Sequence, residues 1–93
     1  MTAGEERREV YYSGWVQGVG FRYTARHLAR DYRVTGFVRN LSDGRVQLVV
    51  EGPPAEVDSF LAAIDQDMGQ HIHDTAQSRG PATGEFRGFE VRR

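Results

Sequence analysis

Glycine, arginine and asparagine in two short stretches carry the chemistry this chain offers. The first stretch, Gly14-Trp15-Val16-Gln17-Gly18-Val19-Gly20-Phe21-Arg22, follows an apolar run and leads straight into a helical pattern. Gly18 and Gly20 let the main chain turn and let another group approach it closely. A strand–turn–helix junction of this kind leaves backbone N–H groups unpaired at the helix start, and with the helix dipole behind them they form an anion site. Arg22 falls in the first helical turn, the end at which the dipole disfavours a cation. A bound phosphate or carboxylate would supply the missing negative charge. On spacing alone a second reading stands beside this one: the glycines only turn the chain, and Arg22 points to solvent.

Other chemistries are poorly served. All twelve basic residues are arginine, so no lysine is present for a Schiff base or a P-loop. The absence of cysteine removes thiol catalysis, disulfides and cysteine-ligated metals. His71 and His73, two apart on a strand candidate, lack a clear third ligand and read as surface imidazoles. Asp43 precedes Gly44 and reads as a turn residue rather than half of a catalytic carboxylate pair. We therefore expect neither metal nor cofactor. The net charge of −1 argues against general nucleic-acid binding, which calls for a basic surplus. No apolar run reaches membrane-spanning length, and Met1–Glu9 is unlike a signal peptide, so a cytoplasmic protein without membrane contact is the default expectation.

Ninety-three residues with 39% hydrophobic content allow one small core, hence one domain. Residues 1–8 read as a mobile polar tail and 9–93 as the domain. Strand one is predicted over Glu9–Val16, with Val10, Tyr12 and Val16 on one face and with Trp15 partly buried. A helix follows from Phe21 to about Tyr32, its apolar stripe made by Phe21, Ala25, Leu28 and Tyr32. Arg22, Arg26, Arg30 and Arg33 line another face, and the last three read as solvated. Val34–Arg39 and Arg45–Glu51 are strands joined by a turn with an Asp-Gly signal. A second helix spans about Pro54–Met68, with Val57, Phe60, Leu61, Ile64 and Met68 inward and Gly69 as its stop. His71–Ser78 is a weak strand, and a short strand from Phe86 or Phe89 to Arg92 closes the chain.

The order β-α-β-β-α-β, plus the short last strand, is the α+β, ferredoxin-like split β-α-β plan: an antiparallel sheet with two helices on one face. Strands one and two then run parallel through a right-handed crossover, with strand three between them. Their C-terminal ends share one sheet edge, roughly 10 Å apart across two strand spacings. That brings Arg22 and Asn40, eighteen positions apart, within reach of one ligand.

The first stretch resembles the signature of acylphosphatases. Gly36-Phe37-Val38-Arg39-Asn40, with Asp43-Gly44, Val46 and Gly52 at their spacings, resembles that family's second signature. The similarity runs on through Val57–Phe60 to Gly84–Val91. Tyr12 departs from the usual aliphatic residue two before Gly14. Met68-Gly69-Gln70-His71 replaces a common Gly-Pro, which leaves the course of strand four open. The resemblance implies hydrolysis of small acyl phosphates to carboxylate and inorganic phosphate. It implies that the amides of Gln17, Gly18, Val19, Gly20, Phe21 and Arg22 hold the phosphate, with the Arg22 guanidinium gripping it. Asn40 matches the residue that positions the attacking water. A carboxylate leaving group needs no strong general acid, and the substrate phosphate can take the water's proton.

Two rivals remain open. One is a non-catalytic acylphosphatase-like module of the kind fused into larger enzymes; a chain ending at Arg93 is expected to be the free, monomeric enzyme instead. The other is single-stranded RNA binding on the sheet, with Tyr11, Trp15 and Phe37 as stacking groups.

Overall fold

The computed structural model describes residues 4–93. Five strands and two helices alternate as β1 (Glu6–Gly14), α1 (Phe21–Ala29), β2 (Thr35–Asn40), β3 (Val46–Gly52), α2 (Pro54–Met68), β4 (Ile72–Pro81) and β5 (Phe89–Arg92), with a 3-10 turn, Gly69–His71, between α2 and β4. The sheet order is β4-β1-β3-β2-β5, so β3 lies between β1 and β2. β3 runs antiparallel to both, β4 antiparallel to β1, and β5 parallel to β2. This is the ferredoxin-like split β-α-β arrangement with a fifth, edge strand. Among the described residues no helix is long and apolar enough to cross a membrane.

Both helices pack on one face of the sheet. Val10, Tyr12, Val38, Val46, Leu48 and Val50 meet Phe21, Ala25 and Ala29 of α1 and Val57, Phe60, Leu61, Ile64 and Met68 of α2 in one buried cluster. Every residue of β3 is buried, because the opposite face is covered as well. There Phe86 sets its ring edge-on to Phe37, centroids 5.8 Å apart, and the Arg92 guanidinium lies 4.1 Å from the Phe37 ring centre.

Several boundaries differ from expectation for identifiable reasons. Residues 6–8, assigned above to a mobile tail, form the first rungs of β1, paired to both β3 and β4. Their charges resemble a solvated tail, yet Arg8 is buried and bridges to Glu6 at 2.7 Å and to Asp58. Met1–Ala3 lie outside the described residues. β1 stops at Gly14, so Trp15 and Val16 belong to the following loop. Regular α-helix ends at Ala29 rather than near Tyr32: Arg30, Asp31 and Tyr32 donate to carbonyls three residues back, tightening the exit. Tyr32 still packs inward, 6.1 Å from the Phe60 ring centre. β4 extends to Pro81 despite its exposed side chains, because its stability comes from the backbone ladder to β1.

Candidate active site

The loop after β1 is organised by its glycines. Gly18 and Gly20 have φ of 79° and 81°, the left-handed region, and a Cβ built on either meets nothing within 4 Å. The restriction to glycine there comes from backbone conformation, and the space above is open to a ligand. Gly20 caps α1 without a side-chain hydrogen bond, and the first turn of the helix holds no acidic residue. Thr24 is the first residue whose N–H closes an intrahelical bond, to the Gly20 carbonyl at 2.9 Å. The N–H groups of Phe21 and Arg22 are therefore free of helical partners, and those of Gln17, Gly18 and Val19 have no backbone acceptor among the described residues.

Packing fixes this loop from below. Val16, though outside the strand, is wholly buried. Phe21 turns its ring onto Tyr12, with centroids 4.9 Å apart. Tyr12 thus replaces the expected aliphatic residue as an aromatic support under the helix start. Burial, with a smaller contribution from Asp65, pushes its phenol well above the ordinary value, so the ring stays neutral. At the entrance to the loop, the Trp15 N–H donates to the His71 carbonyl at 2.9 Å. The indole itself is 81% exposed, against the partial burial expected, because its loop has already left the sheet.

One side chain joins the loop to the β2–β3 hairpin. The Gln17 side-chain N–H₂ donates to the carbonyls of Leu41, at 2.7 Å, and Arg45, at 2.9 Å. Leu41 follows Asn40 directly, so the last residue of β2 is tied to the loop that carries the free amides. The family signature points only to the backbone of Gln17. Nothing in a Gln between a valine and a glycine signals a clamp onto carbonyls more than twenty positions away.

Val16, Gly18, Gly20, Phe21, Arg22, Tyr23 and Asn40 line one recess of about 170 Å³. Arg22 and Asn40 are each half-buried. Arg22 donates from Nη1 to the Arg92 carbonyl at 3.1 Å, an orienting contact from β5 that leaves its charge unneutralised. Arg22 has no carboxylate partner among the described residues, and the Asn40 amide makes no side-chain hydrogen bond there. The recess thus gathers a free cation, free backbone donors and one amide able both to donate and to accept. Such a set suits a tetrahedral oxyanion with a water beside it. The sequence had also offered His71 and His73 as two positions on one strand face. His71 instead ends the 3-10 turn ahead of β4, and no group of three potential metal-ligating side chains occurs among the described residues.

The acylphosphatase family model matches residues 8–91. The chain belongs to the acylphosphatase family. An acylphosphatase of Haloarcula marismortui is 53% identical over 87 residues, 92% of this chain and 94% of its own length. One of Salinibacter ruber is 41% identical over 93 residues, covering 99% and 98% of the two chains. The crystal structure of acylphosphatase from Bacillus subtilis superposes with a TM-score of 0.84 at 27% identity, over 95% of this chain and 99% of that one. Both stretches singled out for chemistry lie inside the matched region.

Proposed function

We propose that the protein is an acylphosphatase, hydrolysing small acyl phosphates to a carboxylate and inorganic phosphate. The single observation that carries this reading is the meeting of Arg22 and Asn40, from different elements, in the recess beside the unpaired amides of residues 17–22. In this mechanism the amides and the Arg22 fork hold the phosphate oxygens and balance the charge that spreads over them. Asn40 accepts a hydrogen bond from a water and aims its lone pair at phosphorus, opposite the acyl oxygen. The P–O bond to the carboxylate breaks as the water attacks, and a phosphate oxygen takes the water's proton. No phosphoenzyme forms, and no metal is needed.

The test is release of carboxylate and phosphate from an aryl acyl phosphate by the purified protein, before and after exhaustive chelation. Equal turnover in both, with inorganic phosphate as a competitive inhibitor, is expected. Binding of phosphate without turnover would leave the non-catalytic module as the correct reading. The RNA-binding alternative finds little support in the sheet: Phe37 lies beneath Arg92 and Phe86, and Arg45 covers the Tyr11 ring at 4.8 Å.

A further inference from the structure

A second recess, of about 380 Å³, adjoins the first and is lined by Arg22, Tyr23, Arg26, Val91 and Arg93. It shares Arg22 and Tyr23 with the recess that holds Asn40. Three of its five lining residues are arginine and none has an acidic side chain, in a chain whose net charge is −1. Neither Arg26 nor Arg93 forms an ion pair among the described residues, whereas Arg7, Arg8, Arg45 and Arg92 all do. Arg22 and Arg26 stand at i and i+4 of α1, where like charges destabilise a helix. Arg26 lies in the last turn of α1, where the helix dipole favours a cation, but that dipole gives no reason for Arg22 one turn earlier. One helical turn separates their Cα atoms by about 6 Å, a span that a short acyl chain covers.

We infer that this recess is a second anion subsite, in which Arg26 and Arg93 take a carboxylate or phosphate group at the far end of the acyl chain. The inference rests on the acylphosphatase reading for the position of the transferred phosphate. With that phosphate on Arg22 and the loop amides, the acyl chain leaves past Tyr23 towards Arg26. Val91 and the Tyr23 ring border its methylenes, and the distal anion ends between two unpaired guanidinium groups. Substrates bearing a second negative charge are preferred over neutral ones of equal length.

Two measurements test this. The first is binding of 5-phosphonopentanoate and pentylphosphonate, which differ by one terminal carboxylate and cannot be hydrolysed. The wild type should favour the carboxylate, and Arg26→Gln should reduce that preference by roughly 1.5- to fivefold, the range of one exposed ion pair. Arg93→Gln should act similarly, and salt should erode the preference. Pentylphosphonate binding should be unchanged in both variants. The second is hydrolysis of butyryl phosphate, which reports the parent reading alone. Turnover of butyryl phosphate with no carboxylate preference at low salt, or a preference unmoved in the double variant, overturns the subsite. A preference that depends on Arg26, without turnover, supports the subsite and sinks the acylphosphatase reading instead.

Discussion

Arg22 occupies the helix end that repels it, beside amides that need an acceptor, and its one side-chain hydrogen bond among the described residues is to a carbonyl that leaves its charge intact. An oxyanion satisfies all three conditions at once. Geometry matters here as much as charge, because a guanidinium meets two oxygens in one plane and an ammonium does not. Arg22→Lys should therefore fold normally while phosphate affinity and turnover both fall severely. Near-normal kinetics would reduce Arg22 to a source of field. Asn40 divides the possibilities differently. If it positions water, Asn40→Ala loses turnover on the order of a hundredfold or more, as removal of other positioned groups does, while phosphate binding survives on the amides and Arg22. If it only ends β2, the melting temperature drops and each folded molecule keeps its activity. Melting and turnover on the same protein separate the two. That Arg22 and Asn40 would meet at one sheet edge was legible in the sequence, because each closes a motif whose glycines and spacing set it apart from the rest of the chain.

The elements act through their connections, and here the sequence was less informative. Alternating Val10 and Tyr12, the Asp43-Gly44 turn and the α2 stripe from Val57 to Met68 carry enough apolar period or turn chemistry to place β1, the hairpin and α2. The charged start of β1 does not, because Arg8 is buried by ion pairs that involve α2 as well as its own strand. β4 was faint for a related reason: an edge strand held by its ladder needs no apolar pattern. Gln17 belongs to this class of long-range effects. Its two donated bonds, to Leu41 and Arg45, hold the amide loop against the turn that follows Asn40. Gln17→Ala should cost about 1 kcal/mol of stability or somewhat more. Its effect on kcat should exceed that on phosphate affinity, since the amides remain but their distance to Asn40 is no longer fixed. Unchanged kcat per folded molecule would confine Gln17 to a structural role.

At the scale of the whole molecule, the second sheet face is closed by a segment with little regular structure, and one carboxylate holds that segment. Glu51, on the central strand and 2% exposed, accepts hydrogen bonds from the Thr83 N–H at 3.0 Å, the Thr83 hydroxyl at 2.8 Å, the Gly84 N–H at 2.9 Å and Arg7 at 3.1 Å. Burial alone would raise its pKa, but the Thr83 and Gly84 donors and Arg7 outweigh it, so the carboxyl lies below its ordinary 4.5. The unfolded chain then binds the proton more readily than the folded one. This contribution to stability is fully present above about pH 4.5 and is lost as pH falls through the lower, folded-state value. Glu51→Gln keeps the shape, removes the charge and turns one acceptor into a donor facing donors. It should lower stability at pH 7 by about 2 kcal/mol, the range for hydrogen bonds to a charged group. It should also flatten the fall in stability between pH 5 and the acid limit. Denaturant melts at pH 7 and at steps below pH 5, on both proteins, read the two effects. Phosphate affinity at pH 7 should be retained, because the hydrogen bonds and ion pair of the Glu51 side chain go to Arg7, Thr83 and Gly84, none of them in the loop or the recess. A variant as stable as wild type at pH 7, or one whose acid profile is unchanged, would show that the 83–88 segment is held by Phe86 on Phe37 rather than by its carboxylate anchor.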